Sequence, residues 1–77
     1  MKWKEILRKD GVALLQSESD TQYVVAVGYD PTQPENQQWG WGTYFPYWKD
    51  VNGRKQKCLE QALKVFDEKV RKGRRYD

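Results

Sequence analysis

The stretch QQWGWGTYFPYW at residues 37–48 constrains this chain more than any other, because it holds three of the four tryptophans with two glycines set among them. Rings at this density are buried against something or they bind something. A chain of 77 residues has little else to build a core from. A domain of that size buries only roughly 60% of the surface its unfolded chain exposes. Each large ring that goes inside removes about 150–250 Å² from water. Elsewhere the chain is polar: charged residues make up 32% of it and mean hydropathy is −1.04, so the aromatic stretch has to carry much of any core. The length allows one small domain, residues 1–77.

The best strand pattern precedes the aromatic stretch. TQYVVAVGYD (21–30) is rich in β-branched and aromatic residues. Before it, VALLQS (12–17) is a short apolar run closed by the turn-forming Ser17-Glu18-Ser19-Asp20. DPTQPENQQ (30–38) has no apolar side chain except its prolines, which stiffen it and keep it out of a ladder. The aromatic stretch then reads as a third strand, interrupted at Pro46. With Tyr29 opposite Trp39, Val27 meets Trp41, Val25 meets Thr43 and Tyr23 meets Phe45, and all of them share one face. The other face carries Val24, Ala26, Gly28, Gly40, Gly42 and Tyr44, and is nearly bare. Glycines in a strand require a reason. Here they allow a bulge or strong twist, or they let another molecule's backbone come close.

A helix is predicted from about Asn52 to Lys72, with Cys58, Leu59, Ala62, Leu63, Phe66 and Val70 in one stripe at 3.6 spacing. Gly73 ends it, and residues 73–77 read as a frayed tail. At the other end, KWKEILRKDG places Trp3, Ile6 and Leu7 at i, i+3, i+4 and Gly11 at the stop, which predicts a short helix. The competing reading is a strand with Trp3, Glu5 and Leu7 on one face. The expected architecture is α+β: a three-stranded antiparallel sheet, with a short N-terminal helix and a long C-terminal helix packed on one face. Trp41, Phe45, Val25, Val27, Leu63 and Phe66 form its expected core, and Trp39, beside the proline loop, lies partly exposed at the edge.

The chain has no histidine, so imidazole acid–base catalysis and histidine-ligated metal are excluded. The single cysteine, Cys58, sits on the helix stripe and reads as a buried packing thiol. One cysteine forms no internal disulfide and no cysteine metal site, which suggests a reducing compartment. No apolar run approaches a membrane span, and no signal-peptide core follows Met1. The expectation is a cytoplasmic protein that is not an enzyme and takes no cofactor, metal or membrane.

Charge is uneven. Residues 49–77 hold ten Lys and Arg against five acids, whereas residues 1–48 hold four against six. The predicted helix also opens on Arg54, Lys55 and Lys57, where the macrodipole favours anions. A phosphate at that helix start would turn the penalty into attraction. The alternative is a solvated turn capped by Asn52 or Asp50. An anion site there would take nucleic acid, with Trp39 as the stacking contact and Arg71, Lys72, Arg74 and Arg75 as helpers. An exposed Trp39 is also a platform for a sugar ring, although nothing in the sequence brings polar groups to it. The bare Gly/Ala face and an open strand edge offer a third use, pairing with a partner protein or with a second copy.

Two resemblances follow. Gly53-Arg54-Lys55-Gln56-Lys57-Cys58, followed by Ala62, together with the order helix, three strands, helix, resembles double-stranded RNA-binding domains, in which a lysine-rich helix start reaches phosphates across the major groove. That resemblance implies RNA contact at Arg54, Lys55 and Lys57. Over most of the chain, KWKEILRKDG, QYVVAVGYDPTQPENQQW and WGTYF are similar to small proteins encoded on integrative and conjugative elements of Gram-positive bacteria. This implies a bacterial mobile genetic element as the source and supplies no activity. The expected function is therefore a small non-enzymatic protein-interaction module, with nucleic-acid binding as the alternative.

Overall fold

VALLQS and QYVVAV are apolar at successive positions, so neither has a polar face to leave in water, and both must lie mid-sheet with cover above and below. The computed structural model, which describes residues 2–73, places them there. Four strands, β1 (Trp3–Lys9), β2 (Val12–Ser17), β3 (Gln22–Val27) and β4 (Trp41–Pro46), form one antiparallel sheet in the order β1-β2-β3-β4. A single 3₁₀ turn, Glu35–Gln37, lies in the β3–β4 connection, and one helix, α1 (Arg54–Gly73), packs on β2, β3 and β4. The β1–β2 turn is Asp10-Gly11, both at positive φ (52° and 79°), as a two-residue hairpin requires. At the β2–β3 turn, the buried Ser17 hydroxyl accepts the backbone N–H groups of Thr21 (3.0 Å) and Gln22 (3.2 Å).

The expected N-terminal helix is not there, so the sheet has four strands rather than three. A seven-residue helix is marginal without support, whereas β2 offers a full ladder to the chain that turns back on it. The helical spacing has its own explanation. Glu5 pairs with Leu15 and Leu7 with Leu14, so a bulge at Ile6 shifts the strand by one residue. Trp3 consequently packs on one face of the sheet, while Leu7 stands opposite Leu14 on the other. The helix-first order shared with double-stranded RNA-binding domains is absent from this fold. The β3–β4 register has Val27 opposite Trp41, Val25 opposite Thr43 and Tyr23 opposite Phe45, as expected.

Under the helix, Val12, Leu14, Tyr23, Val25, Tyr47, Ala62 and Val70 are buried, with Phe45, Cys58, Leu59, Val65 and Phe66 packed around them. Two expected core residues are corrected. Trp41 starts an edge strand and is 51% exposed, with the Lys69 ammonium 4.2 Å above its ring. Leu63 lies on the flank of the helix and is 39% exposed, and Val65 packs on the core beyond the predicted stripe. Val27 and Cys58 are only partly buried; the thiol donates to the Pro46 carbonyl at 3.6 Å. Tyr47 takes the central place. Past Pro46 the chain leaves the ladder, the N–H groups of Tyr47 and Trp48 both donate to the Thr21 carbonyl (3.0 and 2.8 Å), and the Tyr47 ring turns in against Tyr23.

The second face is not bare. Ala13, Leu15, Val24 and Ala26 are fully buried there, under Trp3, Tyr29 and Trp39. Trp39 precedes β4 and is free of its alternation, so it lies on the face opposite Trp41. Its indole rests over Gly42: a Cβ there would stand 3.0 Å from the Trp39 Nε1 and 3.1 Å from a Val24 methyl. Gly42 is the seat of the indole, which accounts for the missing side chain. The expected frayed tail at 73–77 falls outside the described residues except for Gly73, the last residue of α1.

Candidate functional site

The connection from Val27 to Trp41 ties itself into a rigid cover. Asp30 accepts the Thr32 hydroxyl (2.6 Å), the Thr32 N–H (3.0 Å) and the Gln33 amide (3.3 Å), and these bonds, the Thr32 hydroxyl first, hold its carboxyl below the usual range. The Asp30 N–H donates to the Gln38 carbonyl at 2.7 Å and closes the loop at its base, while the Gln37 N–H donates to the Pro34 carbonyl within the 3₁₀ turn. Trp39 is thereby laid on the sheet. Trp3 meets it edge-on, with centroids 5.8 Å apart and planes at 79°, and Tyr44 meets Trp3 at 6.2 Å. Tyr29 closes the other side of Trp39 at 6.3 Å.

Between this aromatic wall and the loop lies an open cleft of about 770 Å³. Trp3, Trp39 and Tyr44 form its apolar side; Gln22, Glu35, Asn36 and Gln38 line the rest. Among the described residues, no lysine or arginine lines it. The sequence pointed to Trp39 but not to these polar neighbours. The one available signal was DPTQPENQQ, a run of amide and acid side chains directly before a tryptophan.

The predicted anion site is not assembled. The Lys55 ammonium sits 2.8 Å from the Asp20 carboxylate and over the Tyr47 ring. Asp20 also accepts the Tyr47 hydroxyl (2.5 Å) and the Gln16 amide (2.9 Å). The bond from Lys55 is the main cause that lowers the Asp20 carboxyl, and the same bond raises the Lys55 ammonium. Burial, followed by the bond to Asp20, pushes the Tyr47 hydroxyl up to about 12. Lys55 thus anchors the helix start to the β2–β3 turn. Arg54 and Lys57 remain exposed. Trp39 lies on the far face of the sheet, so no surface joins it to these cations. Arg71 and Lys72 pair within the helix with Asp67 and Glu68, both at 3.0 Å, and Arg74 and Arg75 lie outside the described residues.

The two sheet edges differ in chemistry. β1 carries Lys4, Glu5, Arg8 and Lys9 and the bulge, both of which discourage pairing. β4, WGTYFP, has no charge; Trp41 and Tyr44 on it are half exposed, and Trp48 and Val51 beyond it are more so. Its one protection is Pro46 at its end. Among the described residues, no group of three or more side chains could hold a metal ion, and no helix is long and apolar enough to cross a membrane. No family model, curated protein or solved structure matches the chain.

Proposed function

We propose that this is a non-enzymatic protein-interaction module that works by adding a strand to β4, with a second copy of the chain as that strand. The carrying observation is the contrast between the edges. β4 is uncharged, pairs with β3 in an unbroken register and is flanked by exposed rings, and backbone groups along an open edge are a template for another strand. Twofold antiparallel pairing of β4 opposes no like charges, whereas the same pairing of β1 would set Lys4 against Arg8. The setting we propose for it, a mobile genetic element, is what the sequence resemblance to proteins of integrative and conjugative elements implies. Sedimentation from ~1 to 100 μM tests the reading, in the range where weak interfaces assemble. The parent should form a species heavier than 9.2 kDa, and Trp41→Lys, which adds a second cation beside Lys69, should not. A parent that stays monomeric, with β4 amides exchanging equally fast at every concentration, defeats it.

One observation favours a second reading, phosphate binding: Arg54 and Lys57 are both exposed in the first turn of α1. Single-stranded DNA binding that is present at ~50 mM salt, weak at ~200 mM, and lost in Arg54→Glu/Lys57→Glu would establish it.

A further inference from the structure

We infer that the cleft on the second face is a binding site for a neutral oligosaccharide. Its lining combines the two things a sugar needs. Trp3, Trp39 and Tyr44 present ring surface with negatively polarised faces, against which the C–H groups of a pyranose stack. Asn36 brings an amide with an acceptor oxygen and two donor hydrogens, and Gln38 brings an acceptor oxygen and the N–H that it does not give to the Gln33 carbonyl (3.4 Å), the groups that neighbouring hydroxyls use. This convergence comes from the fold alone, since the rings come from β1, from β4 and from the residue two before it, while Asn36 and Gln38 come from the loop.

Three further observations narrow the ligand. Among the described residues, no lysine or arginine lines the cleft to receive a phosphate or another anion. A quaternary ammonium needs rings spread far enough apart to admit it, each within about 6 Å of the charge. Here Trp3 lies edge-on against Trp39 at 5.8 Å and beside Tyr44 at 6.2 Å, so the rings already fill the space between them that an ammonium would need. The volume of about 770 Å³ is that of a ligand of several rings; small-molecule sites span about 300–1,000 Å³. The wall is also held firmly. Trp39 is fixed over Gly42 and between Trp3 and Tyr29, and the loop behind it is tied at Asp30. Little ordering remains for binding to impose.

The test is a titration of the labelled protein with chitotetraose, with cellotetraose and with a ten-residue oligothymidylate, read by tryptophan emission and amide shifts. The expected result is saturable binding of at least one saccharide, with a dissociation constant on the order of 1 mM or tighter. Shifts should be confined to the neighbourhood of Trp3, Gln22, Asn36, Gln38 and Tyr44. Tyr44→Ala and Asn36→Ala/Gln38→Ala change exposed or partly exposed side chains and should keep the parent's melt, yet each should weaken binding about tenfold. The inference is overturned if neither saccharide shifts any amide up to ~10 mM, a concentration that reveals even feeble sites. It is equally overturned if binding survives unchanged in both variants, or if oligothymidylate occupies the cleft in preference to the sugars.

Discussion

The two faces of the sheet are covered by different means. On one, a twenty-residue helix lays Ala62, Val65, Phe66 and Val70 over Leu14 and Val25. On the other, Leu15 and Val24 are equally buried, yet their cover is three side chains and a tied loop. A helix spans a face continuously and leaves no gap. Individual rings shield the apolar atoms beneath them and leave a cleft beside them. The face that looked unfinished in the sequence is therefore the one with room for a ligand.

Neighbouring residues on opposite faces test this difference most strongly. Leu14→Ala should cost ~3–5 kcal/mol, because the helix cannot settle into the void, while Leu15→Ala should cost ~2–3 kcal/mol, because separate rings can close in. Equal losses in urea melts would mean that both covers are equally stiff. Alkali acts on both faces, because burial raises the hydroxyls of Tyr23 and Tyr47 under the helix and of Tyr29 on the second face, and Tyr47 is raised most. The folded protein holds the Tyr47 hydroxyl at about 12 against an ordinary 10.0, so its contribution is complete below pH 10 and is lost as pH rises toward 12. By linkage the loss is about 2–3 kcal/mol. Tyr47→Phe should remove most of that loss, leaving the smaller contributions of Tyr23 and Tyr29, and a parent indifferent to pH there would contradict the Tyr47–Asp20 bond. Gly42→Val acts on the opposite face. It pushes the Trp39 indole off its seat for about 1–2 kcal/mol, with a red-shifted emission and a helix unaltered by circular dichroism. The smallest effect is expected at Trp41→Ala, at about 1 kcal/mol, since the ring is already half in water with Lys69 over its face. A loss of several kcal/mol would return Trp41 to the core.

What the sequence revealed follows from how local each signal is. β2, β3 and α1 are legible because apolar runs, β-branching and the 3.6 stripe lie within single segments, and the pairing of Val25 with Thr43 follows once Tyr29 is set opposite Trp39. β1 was obscured by its bulge, since an extra residue at Ile6 turns a two-residue period into something with helical spacing. Trp39 was placed on the wrong face because alternation was extended past Gly40, where the ladder has not yet begun. Tyr47 was overlooked because Pro46 appeared to end the structured segment, when it redirects the chain into the core. Of the cleft, only the tryptophan could be read. Gln22 reaches Asn36 and Gln38 through tertiary folding, and no periodic pattern encodes that meeting.

The plain β1-β2-β3-β4 order bears on the speed of folding. Each strand finds its partner next along the chain, so the sheet closes by successive hairpins, and mixed helix-and-sheet domains fold at rates between those of helical bundles and those of all-β folds. The long connection between Val27 and Trp41 is the exception in the sheet, and bringing its ends together carries the greatest search. The loop that shields the second face is thus also the step that sets the pace of the sheet. Shortening it would quicken zipping of β3 onto β4 while stripping Trp39 from its seat, so rate and stability would move in opposite directions.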